Sequence, residues 1–203
     1  QFYVAMAAYY KAAIYHKLAN DTPIRLPVAQ MQQDVETWAT WMYKAQRAYW
    51  DAVKYKDHFW AMAATYQVGA LYWEFRRALM GAPEPRFTSV RYFDKSLGRY
   101  ATVTAAEQRA EYLGKLRVKT RVLLKHAMTV WKKAVSTAER IGAKNLWVAR
   151  MRKSLATVRV QYTKEPTEVV SPGAPGHRPK PTRSPLVPKT VDPKKYRPSA
   201  VDL

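Results

Sequence analysis

The chain has 203 residues, of which 48% are hydrophobic and 13% aromatic, a formal net charge of +20 and no cysteine. This length and hydrophobicity suffice for one buried core, so we expect one domain, or one domain with a tail. The lack of cysteine excludes disulfides, thiolate zinc sites, iron–sulfur clusters and a cysteine nucleophile.

Three helices are predicted in the first eighty residues. Apolar residues at spacings of three and four predict the first helix over residues 2–19, and the prolines of residues 20–27 end it. A second helix is predicted over residues 27–56. A third is predicted over residues 57–80, with Asp57 as its N-cap.

The longest uncharged run of the chain lies inside the third predicted helix. It extends over 15 residues, from Phe59 to Trp73, and includes the polar residues Thr65 and Gln67. A helix that spans a bilayer needs about 20 apolar residues, so we predict a buried core helix and no membrane span. The chain begins with Gln1 and not with Met, which indicates a processed protein or a fragment that lacks any targeting signal.

The next segment contains a strong stop signal and a strong start signal. Residues 81–86, GAPEPR, place a glycine and two prolines directly after the third helix, which predicts its end. A short helix is predicted around residues 90–100. Thr104, followed three residues later by Glu107, predicts a capping box at the start of a long helix that Gly142 closes.

A last helix, over residues 145–160, completes a predicted helical domain of residues 1–162. Residues 163–203 are predicted to be a proline-rich tail, since nine of the 13 prolines lie in its last 39 residues. Such a tail is extended and is ordered only by a partner. Its predicted anchors are Leu186, Val187, Tyr196 and Val201.

Positive charge is concentrated in one quarter of the chain. Residues 114–164 carry 14 basic side chains and a single acidic one, Glu139, whereas residues 1–113 carry 14 and 10. This block attracts polyanions, which leaves an acidic protein surface, an anionic lipid or glycan, and nucleic acid as possible partners. The predicted basic binding face comprises Lys115, Arg117, Lys119, Arg121, Lys144, Arg150, Arg152 and Lys153.

A short pattern recurs along the chain: an alanine, an aromatic residue four positions later, and an alanine three positions after that. The intervals of 40 and 82 residues are close to one and two periods of about 41. Small alanines let helices approach closely while the aromatic ring fills the space between them, so the pattern predicts packed helical hairpins. The three copies are Ala5–Tyr9–Ala12, Ala45–Tyr49–Ala52 and Ala127–Trp131–Ala134.

This pattern is similar to the second helix of a tetratricopeptide repeat, and Val68-Gly69-x-x-Tyr72 resembles part of the first. The order APEPR, Tyr112-Leu113 and HAMTVWKKAVSTAERIGAKNLW resembles the C-terminal end of large envelope-associated tetratricopeptide proteins of gliding and predatory bacteria. The resemblance covers residues 58–160. It implies a helical-repeat scaffold that is periplasmic or envelope-associated and belongs to a multiprotein envelope or motility assembly.

No group of residues points to catalysis. Glu107 and Glu111 lie on one helix side, but the basic residues around them favour solvated ion pairs over acid–base chemistry. The histidines lack a carboxylate or a second histidine at metal-ligand spacing. We therefore predict no catalytic residue, no metal and no cofactor. The four histidines are His16, His58, His126 and His177.

These observations predict an all-α, tetratricopeptide-like array of helical hairpins with a proline-rich tail. We expect it to act as a non-enzymatic scaffold or adaptor that binds other protein subunits through helical grooves, the basic face and the tail. The alternative is an RNA-binding component of a ribonucleoprotein such as a ribosome. The two differ in salt response, because phosphate binding weakens steeply with salt whereas docking through apolar anchors persists.

Overall fold

The computed structural model describes residues 1–94 and 98–168, and within them it contains five helices and one β-hairpin. The predicted all-α fold class is confirmed, since the two short strands are the only sheet in the described part of the chain. The elements are α1 (Phe2–Asn20), α2 (Val28–Val53), α3 (His58–Met80), β1 (Val90–Asp94), β2 (Arg99–Val103), α4 (Ala105–Arg140) and α5 (Leu146–Lys164).

Three helices begin at side-chain caps that satisfy their first backbone N–H groups. Asp57 accepts a hydrogen bond from the backbone of Trp60 at 3.0 Å, which confirms its predicted role. Thr104 and Glu107 form the predicted capping box at the start of α4. At the start of α5, the side chain of Asn145 accepts a hydrogen bond from the backbone of Val148. Cap chemistry involves only neighbouring residues, so these starts could be predicted from sequence.

The helices form two rows around α3. Helices α1, α3 and α5 are neighbours in one row, and α2 and α4 occupy the other. Each helix also packs against the next one along the chain, so α3 contacts all four other helices. This two-row arrangement of successive hairpins is that of a helical-repeat array.

All nine residues of the recurring alanine–aromatic–alanine pattern are buried. Their copies lie in α1, α2 and α4, so the pattern occurs in both rows. The interval of about 41 residues therefore joins a helix of one row to a helix of the other. The pattern marks the core-facing side of a helix and does not identify one helix type of the repeat.

Helices α3 and α4 are in close contact at Gly69. A Cβ atom added to Gly69 would lie 2.2 Å from Nε1 of Trp131, so the indole ring occupies the space that any larger residue would need. The same Nε1 donates a hydrogen bond to the carbonyl oxygen of Tyr66 at 3.0 Å. Trp131 is completely buried. Because Gly69 of α3 has no side chain, there is space beside it for Trp131, the largest side chain of α4.

The helix predicted around residues 90–100 is wrong, because this segment is a β-hairpin. Val90–Asp94 pairs antiparallel with Arg99–Val103. Its β-branched and aromatic residues favour strand over helix. Gly98, directly before β2, has a φ of +60°, a conformation that glycine adopts without steric cost.

A polar network crosses the core between α1, α2 and α3. The buried His16 contacts the hydroxyl of Tyr49 at 3.2 Å and a carboxylate oxygen of Glu74 at 2.7 Å. Asn20 donates a second hydrogen bond to that oxygen at 2.7 Å. Burial raises the pKa of Glu74, but the hydrogen bond and electrostatic interaction with His16, the hydrogen bond from Asn20 and the charge of Arg77 together outweigh burial, so the pKa lies below its ordinary value.

We expect the effect of Gly69→Ala on the free energy of unfolding to change sign when Trp131 is removed, which a double-mutant cycle can show. Gly69→Ala should destabilise the protein by about 2 kcal/mol because the core is overpacked, and Trp131→Ala should cost about 3–5 kcal/mol. In the Trp131→Ala background, Gly69→Ala should stabilise by up to about 1 kcal/mol, since alanine is the better helix former. Guanidinium unfolding of the four proteins measures the cycle. Additive effects would contradict the contact.

We also expect Glu74 to make stability depend on pH. Because its pKa is lower in the folded state than its ordinary 4.5, its stabilising effect is present above that value and disappears as the pH falls through the folded pKa. Glu74→Gln should therefore lose less stability than the wild type on acidification from neutral pH. Urea unfolding across this range measures the difference. Glu36→Gln, which removes an exposed carboxylate of α2, is the control and should follow the wild type.

Candidate binding surface on helices α4 and α5

Most cations of residues 114–164 lie on the solvent-facing sides of α4 and α5. The core-facing side of α4 is a continuous buried row that includes Leu116, Leu124 and Trp131. On α5 the buried residues are Val148, Met151 and Val158. Charged side chains are excluded from these positions, because an unpaired buried charge is costly. The packing of α4 and α5 therefore fixes where the positive charge lies.

Two contacts hold α4 and α5 side by side on their outer surface. The guanidinium of Arg121 on α4 lies 3.7 Å from the ring centre of Tyr162 on α5. Arg152 on α5 donates a hydrogen bond to Glu139 on α4 at 2.9 Å. The two helices run antiparallel, so these contacts are at opposite ends of one junction. Both arginines belong to the predicted basic face.

Further cations lie between these two contacts. Lys125 and Lys132 follow Arg121 by four and eleven residues, a spacing that keeps them on the same side of α4. Arg159 follows Arg152 by two helical turns. Lys125, Lys132 and Arg159 are exposed, and the described residues provide no ion-pair partner for them. We call this surface the basic seam; it consists of Arg121, Lys125, Lys132, Arg152 and Arg159.

The other predicted cations lie outside the basic seam. Lys115 forms an ion pair with Glu111 at 2.8 Å, one turn away on α4. Burial lowers the pKa of Lys119, and the charge of Lys115 lowers it further, so these two lysines are close together. Lys144 is exposed in the loop between α4 and α5, and Lys153 is exposed on α5. The predicted basic face is therefore several separate regions.

Arg117 lies near a buried ion pair at the end of α5. There Arg76 of α3, 3% exposed, donates a hydrogen bond to Glu165, the residue that caps α5. Burial lowers the pKa of Arg76 and the nearby Arg117 adds to this effect, whereas Glu165 opposes it. The ion pair joins α3 to the end of α5, which helps to keep Tyr162 beside Arg121.

Arg150 belongs to a second surface, where the N-terminal ends of α1, α3 and α5 meet. Its guanidinium lies 4.9 Å from the ring centre of Trp147. Trp60 is at the centre of this surface and contacts four aromatic rings of α1 and α3 at centroid distances of 5.1–5.8 Å. Three rings in the surface are exposed: Phe2, Tyr10 and Phe59.

Three of the five seam residues are absent from the predicted basic face. The helical spacing of Lys125 and Lys132 from Arg121, and of Arg159 from Arg152, can be read from the sequence. The packing of α4 beside α5 cannot be read from it, and this packing determines which side of each helix belongs to the seam. The predicted tail anchors Leu186, Val187, Tyr196 and Val201 lie outside the described residues.

The histidines and carboxylates are dispersed over the described part of the chain. Within residues 1–94 and 98–168 there is no group of three or more that could hold a metal ion. His126 stacks on Tyr72 with a centroid distance of 5.2 Å, and His16 belongs to the core network. None of the helices in these residues has both the length and the apolar character required to cross a bilayer.

Comparisons with known proteins add no identification to this geometry. Models of protein families, curated protein sequences and solved structures were each compared with the chain, and none of the three comparisons yields a match.

Proposed function

We propose that the chain is a non-enzymatic scaffold subunit of a multiprotein assembly and that its basic seam docks an acidic surface of another protein. Cations on two packed helices attract that surface over a distance and fix its orientation after contact. The role as a scaffold and the location in a bacterial envelope both remain predictions from the sequence resemblance.

The observation that carries the proposal is the lack of local neutralisation at the seam. Glu139 is the only carboxylate of the described residues that pairs with a seam cation. Five cations at neighbouring positions repel one another, and this repulsion is relieved when an anionic partner binds. Since the cations are attached to helices that pack on α3, a partner finds them already in position, which reduces the ordering cost of binding.

The placement of the aromatic rings favours a protein partner over single-stranded RNA. Proteins that bind single strands combine cations with exposed rings on which bases stack. At the seam, Tyr162 is covered by Arg121 and Trp131 is buried. The exposed rings of Tyr10 and Phe59 lie on α1 and α3, beside Arg150 and away from the seam. Among the described residues, the seam cations are thus not accompanied by an exposed ring.

A photo-crosslinking experiment tests the proposal directly. A benzophenone side chain replaces Lys125 in the full chain, expressed in its native cells, and replaces Lys44 of α2 as the control position. We expect protein crosslinks at position 125 whose linked peptides are rich in Asp and Glu, and few at position 44. Crosslinks to RNA at position 125 would replace this proposal with the ribonucleoprotein alternative.

We further expect only weak, non-specific RNA binding by the purified chain. Five single-strand phosphate contacts would lower affinity about a hundredfold between about 50 and 200 mM salt. Fluorescence anisotropy with labelled bulk RNA at these two salt concentrations measures the RNA affinity of the wild type and of the Lys125→Glu/Lys132→Glu variant. The matched control, Lys44→Glu/Arg47→Glu, makes the same charge change on the exposed side of α2.

If the protein is a scaffold, both double variants should reduce the weak RNA binding to the same extent, because only net charge matters. Tight RNA binding that the seam variant abolishes and the α2 variant preserves would contradict the proposal. Circular dichroism spectra of the variants verify that each remains folded.

A further inference from the structure

Helix α1 is apolar on two opposite sides. Its core side includes Ala5, Tyr9 and Ala12, all buried. Its outer side repeats apolar residues at spacings of three and four, and the large ones are far from buried: Tyr3 is 76% exposed, Tyr10 55% and Ile14 61%. Helices that are apolar all round are normally covered on all sides. We call the outer row the α1 stripe; it consists of Tyr3, Ala7, Tyr10, Ile14 and Leu18.

A groove lies beside the α1 stripe, between α1 and α2. Its volume is about 520 Å³, and its walls include Val4, Ala7, Ala8 and Ala48. The alanines leave space beside α1, and longer side chains line the rest of the groove: Lys11, Asp51, Lys54 and Tyr55. A neighbouring helix can therefore approach α1 closely and place one large apolar side chain in the groove.

The position of α1 at one end of its row, among the described residues, suits a helix as its further neighbour. Helix α3, in the same row, is covered by α1 and α2 on one side and by α4 and α5 on the other. Helix α1 is covered mainly by α2 and α3, on the side opposite the stripe. Its stripe extends over 16 residues from Tyr3 to Leu18, a rise of about 22 Å, which corresponds to about four turns of a partner helix.

Charge selects among the possible helices. Helix α1 contains no Asp or Glu, and Lys11, on the groove wall, has no ion-pair partner among the described residues. Asp51, on the opposite wall, is already bound by Lys54 at 2.7 Å. A net charge of +20 disfavours a second copy of the chain as the occupant, since the two copies repel each other.

We propose that the α1 stripe and its groove bind an amphipathic helix of another protein, with acidic residues beside its apolar side and one large apolar residue at its centre. This is the helix-in-groove mode of recognition, in which the apolar residues supply affinity and the flanking charges supply selectivity. The site is separate from the basic seam, so either can fail while the other stands.

A pair of designed peptides tests this proposal on the full chain. Both have about 20 residues and a Leu-rich apolar side with one central Trp, but one carries Glu and the other Lys at the flanking positions. Fluorescence anisotropy should show at least tenfold tighter binding of the Glu peptide at low salt. The Lys11→Glu variant should reduce that preference without altering the apolar surface.

Substitutions in the stripe locate the binding. Ile14→Glu should weaken the Glu peptide about tenfold or more, because a charge is then buried in the complex. Ala7→Trp should have the same effect by filling the groove. Val122→Glu, which changes an exposed apolar residue of α4, should leave binding unchanged. The seam variant Lys125→Glu/Lys132→Glu should also retain binding, which separates this test from that of the proposed function.

Three results would overturn the proposal. The first is failure of the Glu peptide to bind, and the second is binding that Ile14→Glu and Ala7→Trp leave intact. The third is sedimentation equilibrium that shows a dimer which Ile14→Glu dissociates, since a second copy would then be the occupant. Ile14 is exposed, so its substitution should preserve the circular dichroism spectrum, and Ala7→Trp provides the second variant if it does not.

Discussion

The arrangement of the helices depends on the contact between Trp131 and Gly69. Helix α3 contacts every other helix, and the Trp131 side chain of α4 lies directly against its backbone at Gly69. The indole fixes α4 along its axis through the hydrogen bond to Tyr66 and fixes the distance between the helices through the missing Cβ of Gly69. Because α5 packs on α4 and α3, its place follows from the same contact.

Packing against α3 also explains how two strongly basic helices can lie side by side. Repulsion between the like charges of α4 and α5 opposes their association. Burial of apolar residues on the inner side, Met151 and Val158 among them, offsets that repulsion at roughly 1.5–3 kcal/mol for each large side chain. Packing against α3 thus holds Lys125 and Arg159 beside one junction, in a distribution of charge that isolated helices would avoid.

The sequence allowed prediction of those features that depend on neighbouring residues. The caps Asp57 and Thr104 and the five helices follow from local chemistry and periodicity. The hairpin of residues 90–103 was missed because an isolated pair of strands has a weak pattern, although Gly98 was a usable turn signal. The basic seam was only partly predicted, since Arg121 and Arg152 come together through tertiary packing that no spacing within one helix reveals.

The two proposed binding surfaces differ in chemistry and lie at the two ends of one row. The α1 stripe is apolar and suits a helix, whereas the basic seam involves α5 at the far end and suits an acidic surface. Helix α3 lies between them and contacts both end helices. The two surfaces share no residue, and their relative positions are set by core packing. Two fixed, chemically distinct surfaces are what a scaffold needs to hold different proteins in a defined relation.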